Sequence, residues 1–444
     1  MIALFGLPCL QLVYRREKGS AMHLDQGNTA FVLISAALVL LMTPGLAFFY
    51  GGMVKAKSVV SMMMLSFGSL GLIGVLWVIY GYAMSFSNGG SKTFYGIDGV
   101  FGIDTSFIGL DAQVKDALNP AGAYPSLAFV AFQATFAIIT VALISGAIAD
   151  RAKFGAWMVF AGVWATLVYF PVANWVFNFT VKDGKVVDGG WIVNNLGVID
   201  FAGGTAVHIN AGAAGLALAL ILGKRFGFAK GMSQPHNVPL TLLGTALLWF
   251  GWFGFNAGSE IAADGFASIA FINTLAAPAA AMLGWITIEK IKHGKATSIG
   301  AASGAVAGLV AITPACEILD PMWGILLGVI AGMLCALAID LKFALGFDDS
   351  LDVVGIHLVG GIVGTLYIGL FGRGVGLFFG HGPHQLAMQA LGAGAVLVYS
   401  FVGALIIGWI VEKTMGFRVK AEDEIAGIDT VVHGEEAYAF GADR

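Results

Sequence analysis

The feature that most constrains this sequence is a succession of apolar runs, each long enough to cross a lipid bilayer. A membrane helix needs about 20 mostly apolar residues, because each residue rises about 1.5 Å and the hydrocarbon core is about 30 Å thick. Only 11% of the 444 residues are charged, against about 25% in soluble domains. The sequence therefore predicts an all-α polytopic membrane protein with about eleven spans. The predicted spans are residues 29–52, 58–87, 126–149, 154–177, 200–223, 238–258, 266–288, 297–316, 322–346, 353–372 and 386–411.

The two ends of the chain differ from this membrane domain, which we place at residues 22–411. In residues 1–21 the basic residues Arg15, Arg16 and Lys18 follow the apolar stretch, whereas a secretory signal peptide has the opposite order. This N-terminal extension could be removed, or translation could begin at Met22. Residues 412–444 form a tail after the last span.

Lys and Arg concentrate in alternate connectors between the spans. One set of connectors includes Lys55, Lys57, Arg151, Lys153, Lys224, Arg225, Lys290 and Lys292. The opposite set holds only Lys92, Lys115, Lys182, Lys185 and Arg373. Because cytoplasmic loops carry the excess of Lys and Arg, we expect a cell-membrane protein with its mature N-terminus outside and its tail in the cytoplasm.

Two halves of the chain share weak internal similarity. Residues 44–52 and 249–258, in the first and sixth spans, are both rich in glycine and aromatic residues. The fifth and tenth spans each carry an aspartate ahead of a histidine, Asp200 with His208 and Asp352 with His357. Since five spans per unit is an odd number, the two units must have opposite orientations, which predicts an inverted repeat with the working site at its interface.

His208 and His357 are ionisable residues within spans, where charged groups are costly and often functional. Each could instead be a structural core histidine bonded to a backbone carbonyl. Two histidines at corresponding places of a repeat favour a function, because a neutral imidazole has one donor and one acceptor nitrogen. Such a pair suits conduction of a small polar species or a proton relay.

Other polar and aromatic residues surround these positions. Asp200 precedes small residues at a helix start, which predicts an N-cap that also keeps negative potential at the outer mouth, and Asp352 is expected to cap a helix on the inner side. Aromatic rings could bind a small cation through cation–π attraction, with Ser259 and Gln133 as hydrogen-bonding groups. The candidate rings are Phe132, Phe136, Trp164, Trp249, Trp252, Phe253 and Phe255.

Several classes of function are disfavoured or remain as rivals. The three cysteines form no closely spaced metal set, and there is no Walker A loop or metalloprotease helix, so we expect no metal, no cofactor and no enzyme. One rival is an intramembrane redox protein with His208 and His357 as haem ligands. Another is a sensor, although no output domain follows Glu412.

Several long motifs, in order, resemble the Amt/MEP/Rh ammonium transporters from about residue 27 to the end. The motifs are DFAGGTAVHINAGAAGLALALILGKR at 200–225, PGLAFFYGG at 44–52, AFQATF at 131–136, HNVPLTLLGTALLWFGWFGFNAGS at 236–259, TPAC at 313–316, DDSLDVVGIHLVGGIVG at 348–364 and GIDTVVHGEEAY at 427–438. Trp164 and Ser259 match the Amt/MEP branch better than the Rh branch.

This resemblance implies an eleven-span protomer, a homotrimer and one pore within each protomer. It places the outer cation site on Phe136, Trp164 and Ser259 with Asp200 nearby, the stacked gate on Phe136 and Phe255, and the pore on His208 and His357. Accessory positions are Phe132, Gln133, Trp252 and Thr313, with Asp352 as a structural acid on the inner side.

The implied activity is ammonium transport without chemical turnover. We expect ammonium or methylammonium to be recruited at the outer site, deprotonated, and passed as a neutral molecule through the apolar pore. The tail resembles those of members whose inner face is blocked by the trimeric PII signal protein, which we expect as a partner together with the lipid bilayer. No nucleic-acid partner is expected.

Overall fold

The computed structural model describes residues 23–89, 91–115, 118–119, 122–182, 185–228 and 234–438. The extension predicted for residues 1–21 lies outside these ranges, as do residues 439–444 of the predicted tail.

Long apolar helices form most of the described chain, and ten of them have the length and composition to cross a membrane. Each of the ten overlaps a span predicted from the sequence, which confirms a polytopic helical protein. The helices are α1 (Gln26–Met53), α2 (Val59–Ser85), α3 (Ser126–Ile148), α4 (Phe154–Phe177), α5 (Gly204–Leu222), α6 (Val238–Glu260), α7 (Gly265–His293), α8 (Ser298–Ile312), α9 (Pro321–Leu345), α10 (Val354–Phe371) and α11 (His384–Met415).

Helix α8 is the exception to the spanning length. The prediction extended this span over 297–316, but the helix has 15 residues and rises only about 22 Å. It ends two residues before Pro314, which has no backbone N–H to continue the helical hydrogen bonds. Among the described residues, ten helices are therefore candidate spans by length and composition, and the count of eleven stays a prediction.

Four of the helices contain a π-helical turn, in which the hydrogen bonds run to the fifth residue. These turns are Trp77–Gly81 in α2, Ala165–Tyr169 in α4, Gly204–Ile209 in α5 and Val354–Leu358 in α10. A π-helical turn inside a helix is rare and frequently marks a functional site. The turns in α5 and α10 contain the two histidines singled out from the sequence.

Helices α1 and α6, which carry the similar glycine-rich motifs, pack directly against each other. The contact is so close at Gly244 of α6 that an added Cβ would lie 2.2 Å from the backbone nitrogen of Phe49. Small residues allow this approach of two membrane helices. The contact is consistent with the inverted repeat, which otherwise stays a prediction.

Short elements fill two of the connectors. Between α2 and α3 the antiparallel strands β1 (Phe94–Ile97) and β2 (Phe101–Asp104) precede a short helix at Asp111–Lys115. Between α4 and α5 the antiparallel strands β3 (Phe179–Lys182) and β4 (Lys185–Gly189) precede a helix at Trp191–Asn194.

The tail packs against connectors on one side of the bundle. Its short helix Ala421–Ala426 is followed by a π-helical turn at Asp429–His433. The Asp429 carboxylate accepts a hydrogen bond of 2.7 Å from the Ser61 backbone N–H at the start of α2. The Val419 N–H donates to the backbone carbonyl of Arg151. The connectors that follow α1 and α3 therefore share one side with the tail, as the alternation of basic residues predicts.

Candidate functional site

The two histidines within the spans contact each other at the centre of the fold. The Nδ1 atoms of His208 and His357 lie 3.3 Å apart, and their ring centroids are separated by 5.3 Å. Both side chains are buried. A hydrogen bond between two Nδ1 atoms requires one ring to donate and the other to accept. The pair therefore forms one hydrogen-bonding unit, which differs from the structural alternative of two histidines bonded to separate backbone carbonyls.

This direct contact does not suit the haem alternative. A metal ion between two imidazole nitrogens, at about 2.0–2.1 Å from each, would hold them about 4 Å apart. The observed separation is 3.3 Å. Among the described residues, no group of three or more His, Cys, Asp or Glu side chains could hold a metal ion.

Asp200 holds the π-helical turn that carries His208. Its carboxylate accepts backbone hydrogen bonds from Gly203 at 2.9 Å, Gly204 at 2.6 Å, Thr205 at 2.8 Å and Ala206 at 3.2 Å, and another from the Thr205 hydroxyl. The first N–H groups of a helix lack partners within the helix, and one side chain supplies them here. The helix-start role predicted for Asp200 is confirmed by these bonds.

The chain must turn sharply between the Asp200 carboxylate and the first helical residue. Gly203 adopts a φ of +119°, and an added Cβ would lie 2.6 Å from Cγ2 of Val207. A side chain at this position would meet both a strained backbone conformation and a collision. Gly203 therefore permits the wrapping of the backbone around the carboxylate.

The cap predicted at Asp352 is wrong, because the neighbouring Asp349 performs it. The Asp349 carboxylate accepts hydrogen bonds from the backbone N–H groups of Val353 at 3.1 Å and Val354 at 2.7 Å. Asp352 instead accepts a hydrogen bond from the Lys342 ammonium at 2.5 Å and adopts a positive φ of 63°. Asp352 is thus an acid in an ion pair rather than a helix cap.

An uninterrupted series of aromatic rings leads to the histidine pair. The rings of Phe136 and Phe255 stack with centroids 4.2 Å apart and an interplanar angle of 23°. Phe255 lies 6.1 Å from the His208 ring, and Trp252 lies 5.4 Å from it. The structure therefore brings together the residues predicted as gate and as pore, all of them buried.

The residues predicted for the outer site have looser contacts. Phe132 lies 4.9 Å from Phe136, ring to ring, and the Ser259 hydroxyl donates to the backbone carbonyl of Phe255 at 2.8 Å. Trp164 is buried beside Tyr169, at 6.5 Å between ring centroids. The convergence of Trp164 with Ser259 on one ligand stays a prediction.

Three of the predicted residues carry buried polar atoms that have no hydrogen-bond partner within the described part of the chain. These atoms are the indole Nε1 of Trp164, the amide Oε1 of Gln133 and the imidazole Nε2 of His208. Leaving a buried polar atom unpaired costs about 1–3 kcal/mol, so each one calls for an explanation.

A chain of hydrogen bonds fixes Trp252 beside His208, and only some of its residues were predicted from the sequence. The Trp252 indole donates to the Thr313 hydroxyl at 2.8 Å, and that hydroxyl lies 3.2 Å from the Asn256 amide oxygen. The Asn256 amide nitrogen donates in turn to Thr274 at 2.9 Å. Asn256 and Thr274 were missed, although a polar residue inside an apolar run was the available signal.

An ionic cluster that was also missed lies beside the N-terminal end of α10. Arg151 is fully buried, donates to the backbone carbonyls of Ala147 and Asp348, and lies 3.9 Å from the Asp348 carboxylate. Arg225 donates to that carboxylate through Nε and Nη2, each at 2.9 Å. Burial lowers the pKa of Arg151 to about 10. Burial would raise the pKa of Asp348, but the hydrogen bonds and charge of Arg225 outweigh it and lower that pKa.

The family model described as Ammonium Transporter Family matches residues 30–438. This chain belongs to the ammonium transporter family. Ammonium transporters of Mycobacterium bovis and Bacillus subtilis are 55% and 44% identical to it. Both comparisons cover 94% of this chain, together with 91% of the first relative and 99% of the second.

Solved structures show the same relationship for the fold of this ammonium transporter family member. A structure named Sensor Amt Protein gives a TM-score of 0.82 at 28% identity and covers 91% of this chain and 98% of that chain. Saccharomyces cerevisiae Mep2 gives a TM-score of 0.80 at 32% identity, with coverage of 95% and 93%. Membership in the family supports ammonium transport by a multi-pass membrane protein and accords with the expectation that the chain is not an enzyme.

Proposed function

We propose that this member of the ammonium transporter family recruits ammonium at an outer aromatic site, removes a proton there, and passes ammonia through a dry pore. The outer site consists of Phe136, Trp164 and Ser259, with Asp200 nearby, and the pore is lined by His208 and His357. The observation that carries the proposal is the direct hydrogen bond between the two buried imidazoles, at the end of a series of stacked aromatic rings.

Deprotonation explains how such a pore separates ammonium from potassium. The two cations are similar in size and charge, so a binding site alone discriminates poorly between them. Moving an ion into an apolar interior without compensating contacts has a large free-energy cost. Ammonium can lose a proton and enter as a neutral molecule, whereas potassium meets the full cost.

The unpaired amide oxygen of Gln133 and the aromatic rings support recruitment of a cation that donates hydrogen bonds. The Gln133 Oε1 can accept a hydrogen bond, whereas the Trp164 Nε1 can only donate one. The aromatic faces of Phe136 and Trp164 attract a cation, with about 2 kcal/mol available when it is desolvated. Ammonium offers four N–H donors and a positive charge, which fits the acceptor and the rings.

The stacked phenylalanines support a gate between the outer site and the pore. Ring centroids 4.2 Å apart leave no space for a molecule between the two faces. Passage of ammonia therefore needs a rotation of Phe136 or Phe255. Beyond the gate, the imidazoles offer a hydrogen-bonding surface to ammonia, and their mutual hydrogen bond provides a path along which a proton could be relayed.

Measurements of flux in proteoliposomes test this proposal directly. Ammonium, methylammonium and potassium currents are compared for the native protein and for the double variant His208→Ala with His357→Ala. We expect ammonium to exceed potassium strongly in the native protein, and the double variant to lose that selectivity. His293→Ala, at an exposed position at the end of α7, is the matched control and should behave as the native protein.

Either of two results would contradict the proposal. Equal passage of potassium and ammonium through the native protein would exclude selection by deprotonation. Full selectivity in the double variant would show that the histidines are structural.

We further propose a homotrimer with the tail in the cytoplasm, regulated by a PII signal protein. One structural relative is named a sensor, and the tail lies against the basic connectors on one side of the bundle, where a soluble partner could reach both. The mass of the native complex tests the trimer. Co-purification of the partner that depends on nitrogen status tests the regulation.

A further inference from the structure

The inner histidine has the same relation to an aspartate as the outer histidine. Asp349 precedes His357 by eight residues, and Asp200 precedes His208 by eight. Each carboxylate accepts backbone hydrogen bonds at the start of its helix, and each histidine lies in the π-helical turn that follows. The two halves of the site are therefore matched in the cap, the turn and the spacing.

The setting of Asp349 differs from that of Asp200 in burial and in charge. Asp349 is 1% exposed, whereas Asp200 is half-buried. The titratable and charged groups that face Asp349 are Tyr50 of α1, Arg151 before α4, Lys342 of α9 and Asp352 of its own loop. Burial, followed by the charge of Asp352, raises the pKa of Asp349 to about 6, although Lys342 and the two backbone hydrogen bonds act against the shift.

We propose that Asp349 is a positioning residue for transport, whose ionised carboxylate holds the turn that presents His357 to His208. The inference rests on the proposed function, since it assigns a role within the same pathway. An ionised carboxylate makes charge-assisted hydrogen bonds to the N–H groups of Val353 and Val354, and these are about twice as strong as neutral ones. Protonation weakens both bonds and loosens the turn, so the inner half of the pathway responds to acid near neutral pH.

The proposal predicts a pH dependence of transport that belongs to one side chain. If flux follows the ionised fraction of a group with a pKa of about 6, it falls about fourfold between pH 7.5 and pH 5.5. Asp349→Asn keeps one cap oxygen without a charge. Flux through this variant should therefore be slow at pH 7.5 and should differ little between pH 7.5 and pH 5.5.

The experiment measures methylammonium uptake by proteoliposomes with equal pH on both sides, at 7.5 and at 5.5. Asp352→Asn is the matched control, because it removes a charge from the same cluster without removing a cap. Because the charge of Asp352 helps to raise the pKa of Asp349, we expect uptake by this control still to fall on acidification, although by less than fourfold. Asp349→Ser, which also offers a cap oxygen without a charge, provides the same readout if Asp349→Asn fails to fold.

The possible results separate this inference from the proposed function. A flat pH profile in Asp349→Asn or Asp349→Ser, with the fall retained in Asp352→Asn, supports the role of Asp349. A fourfold fall that persists in the Asp349 variants overturns it while leaving ammonium transport intact. Uptake by the native protein no faster than by empty vesicles overturns both.

Discussion

Replacement of Asp200 by asparagine tests how the outer half of the pathway is built. The two carboxylate oxygens divide the work, since Oδ1 accepts from Gly203 and Gly204 while Oδ2 accepts from Thr205 and Ala206. Asparagine has nearly the same shape but only one oxygen. Its amide nitrogen must face two N–H donors on one side of the side chain.

The magnitude of the effect follows from counting those donors. With the amide oxygen facing Gly203 and Gly204, the N–H groups of Thr205 and Ala206 lose their acceptor. The Thr205 hydroxyl, which donates to the carboxylate in the native protein, can rotate and accept from the new amide. Each unsatisfied donor costs about 1–3 kcal/mol. Because Asp200 is only half-buried, we expect the free energy of unfolding to fall by about 2–4 kcal/mol.

Reversible unfolding in mixed micelles, followed by tryptophan fluorescence, measures this loss. Asp25→Asn is the matched control, because Asp25 caps α1 at an exposed position through one hydrogen bond to Asn28, and asparagine caps equally well. It should change the free energy of unfolding by no more than about 0.5 kcal/mol. A loss in Asp200→Asn no larger than that of the control would refute the assignment of the four backbone bonds to this carboxylate. We also expect slower ammonium flux in Asp200→Asn, since the turn that it caps carries His208.

Three further substitutions probe the walls of the pathway, each by unfolding in the same micelles. Phe255→Ala should cost about 3–5 kcal/mol, whereas Phe255→Leu, which leaves a smaller cavity, should cost less; equal losses would argue against tight packing of the stack. Thr313→Val removes the acceptor of the Trp252 indole and should cost about 1–3 kcal/mol. Trp252→Phe should lower the free energy of unfolding less in the Thr313→Val variant than in the native protein. Asp348→Asn leaves a buried guanidinium without its carboxylate and should cost about 3–5 kcal/mol. Because hydrogen bonds from Arg225 outweigh burial and lower the pKa of Asp348, its contribution is complete above about pH 4, the usual carboxyl range, and is lost as the pH falls through the lower folded-state pKa. On acidification the native protein should therefore lose this stabilisation, whereas Asp348→Asn lacks it at every pH.

The spans were the most predictable part of the fold, because the length and apolarity of a membrane helix are set by the bilayer rather than by the tertiary structure. Helix α8 shows where that reasoning stops. Hydropathy extended the span to residue 316, since residues 313–316 are mostly apolar, but the helix ends at Ile312. Pro314 was visible in the sequence, and its missing backbone N–H is the physical reason.

The candidate site was less predictable than the spans. Both histidines were identified from their cost in a membrane, but their hydrogen bond depends on π-helical turns that periodicity does not reveal. The choice of Asp352 over Asp349 was wrong because the aspartates of residues 348–352 were not compared by their distance in sequence from His357. Asp200 precedes His208 by eight residues, and the same spacing in the second half of the chain points to Asp349. Two of the acceptors of Arg151, the Ser350 hydroxyl and the Asp348 carbonyl, come from residues nearly 200 positions away, so no local pattern could show them.

The distribution of satisfied and unsatisfied polar atoms unites these observations. Beside the histidines, Trp252 has its indole hydrogen bonded to Thr313, and Asp200 and Asp349 satisfy the N–H groups at the helix starts. Within the described residues, His208 nonetheless keeps a buried Nε2 without a partner. A fold that pairs the polar groups around an atom yet leaves that atom unpaired carries an uncompensated cost of about 1–3 kcal/mol. Ammonia, which both donates and accepts, can pair with this nitrogen in either tautomer and offset that cost, while a potassium ion finds at most one lone pair where it needs a full coordination shell. In the proposed mechanism, the arrangement that lets the neutral molecule pass is thus the one that excludes the cation.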